Sequence, residues 1–185
     1  ASNSTWMKLK FLNLQQNNIG NTGITALSAN ATWNELRILY LPTNNIGNEG
    51  LANLANNTSW LKLEELDLSN NQIGDAGMRN LATNQSWKNL EVLMLTGNKF
   101  QDEGALRLAA NKSWRKLGIL ELSEYHIGDE AVLKLALNPH WPKLHSLETP
   151  EDDLEDPTLT VLDTIRNRSL LQVLPETDSG TSDGQ

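Results

Sequence analysis

Two groups of side chains have the types that metal binding requires, but neither has the required spacing. An acidic run near the C-terminus could ligate a hard cation through carboxylate oxygens; it comprises Glu151, Asp152, Asp153, Glu155 and Asp156. This run lacks the alternating oxygen ligands and the central glycine of a calcium loop. The histidines cannot form a cysteine–histidine zinc site, because the chain has no cysteine; they are His126, His140 and His145. We therefore expect a solvated acidic loop and no metal site.

Sequence motifs for catalysis are missing as well. The chain has no glycine-rich phosphate loop, no nucleophile elbow and no isolated pair of acids. We therefore predict no catalytic residues and no cofactor, and we expect that the protein is not an enzyme. Repeated N-x-S/T triplets match the glycosylation pattern at Asn30, Asn57, Asn84 and Asn111. Their constant interval favours a repeated structural position over glycosylation.

Length and charge restrict the class of protein. A chain of 185 residues allows one ordinary domain or two small ones. The formal net charge of −8 opposes binding to nucleic acid or to an anionic membrane, and favours a basic partner. No apolar run approaches the roughly 18 residues that a membrane span needs, and without a basic-then-apolar N-terminal segment we expect no uncleaved secretion signal. The absence of cysteine fits the cytosol, including that of a host cell, but identifies no compartment.

A strict internal repeat organises the chain. All six tryptophans lie 27 residues apart, at Trp6, Trp33, Trp60, Trp87, Trp114 and Trp141. Leucines follow each tryptophan at the third, sixth and eighth positions, with Thr149 as the exception. An asparagine follows at the eleventh position in four units, and Tyr125 and Asp152 replace it in the last two. Such regularity predicts a solenoid of stacked units.

Each unit combines a short strand with a short helix. Alternating leucines predict parallel strands near residues 10–14, 37–41, 64–68, 91–95, 118–122 and 145–149, with a seventh near 171–174. Each helix is expected to begin at an N-cap residue type; the column is Asn21, Asn48, Asp75, Asp102, Asp129 and Asp156. Each helix should end at an asparagine in the left-handed conformation; this column is Asn30, Asn57, Asn84, Asn111 and Asn138.

The remaining repeated positions have predicted packing roles. The tryptophans are expected in the core, because their period equals the packing period. The asparagines that follow the strands, such as Asn71, should turn inward and form a hydrogen-bonded ladder between units. Tyr125 should break that ladder, because a phenol cannot replace a carboxamide there.

The pattern L-x-x-L-x-L-x-x-N in a strand-plus-helix unit resembles the leucine-rich repeat family, over roughly residues 3–174. The helical units resemble the ribonuclease-inhibitor-like class. Segments such as EGALRLAANKSW and IGDAGMRNLATNQSW are similar to repeats of bacterial proteins, including effectors. The resemblance implies an α/β horseshoe with a concave parallel sheet, convex short helices and a protein-binding role.

The chain ends suggest the domain limits. We predict one repeat domain over residues 1–175, with about six repeats and partial terminal units, and a disordered tail over residues 176–185. The first residues match the end of a preceding unit, and a polar N-terminal cap is missing. We therefore expect the chain to be a fragment of a longer protein, or to begin raggedly.

Strand residues between the leucines should face the concave side, where packing does not fix their type. We predict a protein-binding face there, with an apolar part and an acidic part; its residues are Phe11, Ile38, Tyr40, Asp67, Val92, Met94, Ile119, Glu121 and Glu148. Residues 1–120 carry 11 basic and 9 acidic residues, net +2, whereas residues 121–185 carry 4 and 14, net −10. A monomer that binds a basic and apolar protein surface fits this distribution. The alternative is a structural array that spaces other domains.

Overall fold

The computed structural model describes residues 6–122 and 127–171. Within them, six parallel strands form one sheet in chain order: β1 Phe11–Asn13, β2 Ile38–Tyr40, β3 Glu65–Asp67, β4 Val92–Met94, β5 Ile119–Glu121 and β6 Ser146–Glu148. A helix follows each strand: α1 Gly20–Ser28, α2 Asn48–Ala55, α3 Asp75–Leu81, α4 Asp102–Leu108, α5 Asp129–Ala136 and α6 Asp156–Leu171. The predicted α/β solenoid is confirmed. None of the helices in this part of the chain has the length and hydrophobicity that crossing a membrane requires.

The register of the sheet equals the sequence repeat. Phe11 pairs with Ile38, and Ile38 pairs with Glu65, in each case 27 positions further along the chain. The same interval relates the other neighbouring strands. Backbone hydrogen bonds continue beyond the three-residue strands, as from the N–H of Leu14 to the carbonyl of Tyr40 at 2.9 Å. Residues of one sequence column therefore stack directly on each other across the sheet.

Leucine and tryptophan columns form the core between the sheet and the helices. The central leucines of β2 to β6, such as Leu66 and Leu93, are buried, and Leu12 of β1 is partly buried. Trp33 and Trp60 are buried with stacked rings whose centroids are 6.1 Å apart, which confirms the predicted packing role. Trp6 differs, because 51% of its surface is exposed at the N-terminal end of the described array.

The predicted asparagine ladder is present. The Oδ1 atom of Asn71 accepts from the backbone N–H of Asn44 at 3.1 Å and of Ile46 at 3.0 Å. Its Nδ2 donates to the carbonyls of Leu41 and Leu68 at 3.0 and 2.9 Å. The asparagines before and after it in the column make equivalent bonds. Each buried carboxamide thus satisfies backbone groups of two adjacent repeats.

The N-cap column caps the helix of the next repeat, which corrects the prediction that each member caps its own. Asn48 is the first residue of α2, and its Oδ1 accepts from the N–H of Gly74 at 2.7 Å and of Gly77 at 3.0 Å, at the start of α3. Asp75 caps α4 in the same way, with two bonds of 2.8 Å. Stacking brings the neighbour's unsatisfied N–H groups within reach of a side chain that already lies inside its own helix.

The asparagines at the helix ends form a second buried ladder, and the prediction that they adopt a left-handed conformation is wrong. None of them has a positive φ. The Nδ2 of Asn84 donates to the carbonyl of Ala55 at 2.7 Å, and its Oδ1 accepts from the N–H groups of Ser86 and Trp87, both at 3.0 Å. The non-glycine residues with positive φ lie in the turns after the strands instead; they are Gln16, Asn18, Thr43, Asn45 and Asn70.

The last helix differs from the others. It continues to Leu171, which is therefore helical and does not begin the predicted seventh strand. The position that ends the earlier helices with asparagine holds a buried Ile165 here, so the carboxamide that closes the helix is missing. The predicted ladder break at Tyr125 and the predicted tail over residues 176–185 lie outside the described residues.

Removal of one ladder carboxamide should destabilise the solenoid. We expect Asn71→Ala to lower the free energy of unfolding by about 1–3 kcal/mol, because buried backbone groups lose their partners. Asn17→Ala is the matched control, since Asn17 occupies the exposed end of the same column. Denaturant unfolding measures both variants. Equal, negligible losses would contradict the assigned role of the ladder.

The capping of one helix by its neighbour can be tested by amide exchange. In Asn48→Ala, hydrogen exchange should accelerate at Gly74 and Gly77 of the next repeat, because their acceptor is lost. Exchange at Gly47 and Gly50 should change little, since Asn21 caps them. Acceleration confined to Gly47 and Gly50 would show that Asn48 caps its own helix.

Candidate protein-binding face

The strands present two parallel rows of outward side chains. The first row is Phe11, Ile38, Glu65, Val92, Ile119 and Ser146, and the second row is Asn13, Tyr40, Asp67, Met94, Glu121 and Glu148. All nine predicted face residues lie in these rows. In each strand the central leucine is inward and the outward residues are partly exposed or exposed. We call these two rows the concave face.

The apolar residues of the concave face form two groups. Phe11 and Tyr40 make an edge-to-face ring contact with centroids 5.5 Å apart at an interplanar angle of 87°, beside Ile38. Phe11 is half exposed. The second group is Val92, Met94 and Ile119, on β4 and β5. The acidic residues of β3 lie between the two groups, because the strand register places them there.

Glu65 connects Tyr40 to the acidic strand and was not among the predicted site residues. The Tyr40 hydroxyl donates to Glu65 Oε1 at 2.6 Å. This hydrogen bond, followed by burial and by the charges of Glu65 and Asp67, raises the pKa of Tyr40 to about 12. The position of Glu65 in the first sequence column was the available signal. The bond holds the Tyr40 ring between Phe11 on one side and β3 on the other.

The second row carries carboxylates that form no close ion pair, although Glu148 interacts with the charge of Arg166. Within residues 6–122 and 127–171, Asp67, Glu121 and Glu148 form no ion pair. Burial raises the pKa of Glu121, and the nearby charges of Glu148, Asp67 and Glu65 raise it further. The ionised form of Glu121 is therefore disfavoured in the folded protein. A cation brought to this row would relieve both effects.

Several acidic residues elsewhere form ion pairs within the chain, at the strand entrances, on the helices and in the last loop. The ion pairs are Arg37–Glu64, Lys62–Glu35, Arg79–Glu103, Lys134–Glu130 and Arg166–Glu151. Glu151 of the last pair belongs to the acidic run near the C-terminus that was considered as a cation ligand. Among the described residues, no group of three or more acidic or histidine side chains could hold a metal ion. Asp67, Glu121 and Glu148 differ from these paired acids, although acids outside the concave face, such as Glu49 and Glu91, also form no ion pair in the described part of the chain.

The architecture and the exposed sheet define a repeat solenoid, and comparison with known proteins gives its family. A leucine-rich-repeat family model matches residues 7–28, 35–55, 61–82 and 88–109. The chain is a leucine-rich-repeat protein.

Two solved structures illustrate how widely the fold is shared. Actin-binding site 2 of leiomodin-1 is similar with a TM-score of 0.51 and 16% identity, over 92% of this chain and 87% of that one. An internalin of Listeria monocytogenes strain 4b F2365 is similar with a TM-score of 0.52 and 18% identity, over 86% of this chain. The match spans 47% of the internalin chain. At these identities the likeness shows the fold alone. Comparison with curated proteins gives no significant match.

The raised pKa of Glu121 predicts a pH-dependent stability effect. A raised pKa in the folded state means that ionisation of Glu121 costs stability as the pH rises past its ordinary value of 4.5. Glu121→Gln should therefore raise the denaturant midpoint at neutral pH, and its advantage should shrink as the pH falls toward that value. Glu130→Gln is the opposite control, because Lys134 lowers the pKa of Glu130. If Glu121→Gln is no more stable than wild type at neutral pH, the pKa of Glu121 is not raised by burial and repulsion as described.

Proposed function

We propose that the concave face binds a protein partner whose surface is apolar with adjoining basic residues. The observation that carries this proposal is the row of unpaired carboxylates beside partly exposed apolar side chains. A leucine-rich-repeat domain is generally a protein-interaction module, which supports the class of function. Electrostatic complementarity would favour a basic partner over nucleic acid or an anionic membrane.

The two parts of the face have different roles in this proposal. Tyr40 and Met94 flank the acidic strand β3 and anchor the partner, because large apolar side chains near the centre of an interface dominate its energy. Glu121 and Glu148 lie toward the C-terminal end of the sheet. They steer a basic partner during association more than they hold it.

The module is proposed to act as a monomer, without catalysis and without a cofactor. Its likeness to bacterial repeats supports an effector or adaptor as the setting, with the repeats serving as the recognition segment. A structural array that spaces other domains is the second candidate. Such an array would not require unpaired acids on the sheet, whereas a recognition surface would use them.

The proposal predicts that concave substitutions weaken partner binding. A partner captured from a lysate is purified and titrated against the chain by calorimetry. Truncation in Tyr40→Ala or Met94→Ala should cost about 2 kcal/mol or more of binding free energy. Tyr40→Phe keeps the ring and removes the bond to Glu65, and so separates ring burial from hydrogen bonding.

Charge reversal should act on association instead. In Glu121→Lys/Glu148→Lys, the association rate should fall and its salt dependence should weaken, with a smaller change in dissociation. Arg79→Ala and Arg107→Ala are convex controls, since both side chains lie beside Glu103 on the helical side. Unchanged binding by every concave variant, together with loss in the convex variants, would assign recognition to the helices.

A further inference from the structure

Two columns of mostly charged residues precede the strands. They lie at the N-terminal ends of the strands, whereas Glu121 and Glu148 lie at the C-terminal ends. The residues two positions after each tryptophan are Lys8, Glu35, Lys62, Asn89, Lys116 and Lys143, and those four positions after it are Lys10, Arg37, Glu64, Glu91, Gly118 and His145. In the second and third repeats, oppositely charged residues of the same column form ion pairs. The pairs are Lys62–Glu35 and Arg37–Glu64.

The pairing stops in the later repeats. Lys116 and Lys143 are consecutive in one column, and Glu91 is followed by Gly118 in the other. Among the described residues, Glu91, Lys116 and Lys143 form no ion pair. The lysine-rich edge is therefore available to a group from outside the chain.

A cavity of about 310 Å³ lies beside Gly118, which lines it together with Glu91, Val92, Lys116, Ile119, Lys143 and His145. A Cβ atom on Gly118 would lie 2.7 Å from Cε1 of His145, so the imidazole occupies the space that a side chain would take. His145 Nδ1 lies 2.9 Å from the carbonyl of Lys143, which fixes the ring beside the cavity. The cavity thus has basic walls, and Val92 and Ile119 add apolar surface.

We propose that this cavity receives an acidic side chain of the protein partner. The inference rests on the proposed function and deepens it, because it specifies which partner side chain lies at the N-terminal ends of the strands. Two lysines outweigh the single Glu91, so an anion is favoured over a cation. Val92 and Ile119 accept the aliphatic stem of that side chain, and both also belong to the first row of the concave face.

The same strands carry the acidic row at their far ends. Glu121 follows Gly118 by three residues, or about 10 Å at roughly 3.3 Å per residue. A partner segment that crosses β5 therefore meets basic, apolar and acidic positions in turn. The complementary segment carries an acidic residue, apolar residues and a basic residue, in that spatial order.

A double-mutant cycle with a synthetic probe tests this assignment. The probe is a capped peptide in which two leucines separate one glutamate from one lysine, titrated against the full chain and followed by backbone amide NMR. Its glutamate is replaced by glutamine in a second peptide. The protein variant is Lys116→Gln/Lys143→Gln, and Lys8→Gln/Lys10→Gln is the control, with the same two charges removed at the other end of the array.

The wild-type chain should bind the glutamate peptide about two- to fivefold more tightly than the glutamine peptide, a range typical of exposed ion pairs. That preference should vanish in Lys116→Gln/Lys143→Gln and persist in Lys8→Gln/Lys10→Gln. The amide signals of Gly118 and His145 should shift on binding. Gly118→Ala should also weaken the preference, because its Cβ atom would lie 2.7 Å from Cε1 of His145 and displace that ring from the cavity wall.

Other outcomes overturn the cavity assignment. They are equal affinity for both peptides, an equal preference in both lysine variants, or no binding of either peptide. A third peptide, with its lysine replaced by glutamine, separates this failure from that of the proposed function. Suppose that this third peptide binds the wild-type chain more weakly than the original peptide does, and that the difference disappears in Glu121→Gln/Glu148→Gln. The concave face would then remain supported although the cavity proposal fails.

Discussion

Each repeat leaves backbone N–H and carbonyl groups that only a neighbouring repeat can satisfy, and the rest of the structure depends on that exchange. Asn71 joins the turns after two strands, Asn84 joins two helix ends, and Asn48 caps the following helix. All three connections span nearly one repeat. Since a buried polar group without a partner is costly, units with other spacings could not stack in this way.

This exchange explains why some glycines accompany the carboxamides. A Cβ atom on Gly77 would lie only 2.7 Å from Oδ1 of Asn48, so the capping oxygen approaches the helix start through the space that glycine leaves. Gly104 leaves the same space for Asp75. The capping hydrogen bonds therefore require glycine where the capping oxygen approaches the helix start. The outward strand residues take no part in these contacts.

Those outward positions are where the chain differs from one repeat to the next. At the strand entrances, opposite charges in adjacent repeats neutralise each other, as between Lys62 and Glu35. On the concave face, burial and then the like charges nearby raise the pKa of Glu121. Binding of a basic and apolar surface would remove this repulsion and cover exposed Phe11. The proposed recognition thus depends on carboxylates that form no close ion pair within the described fold.

The sequence by itself determined the repeat, the strand positions, the buried tryptophans and the asparagine ladder, because each is fixed by periodicity and residue type along one unit. Only the tertiary structure decided which unit receives each hydrogen bond. In the sequence, Asn48 has the residue type and position of a cap for its own helix. Its side-chain oxygen instead accepts hydrogen bonds from the start of the next helix, because stacking brings that helix within reach. The hydrogen bond between Tyr40 and Glu65 and the cavity at Gly118 also arise between strands, from side-chain contacts of neighbouring repeats that the sequence columns do not show.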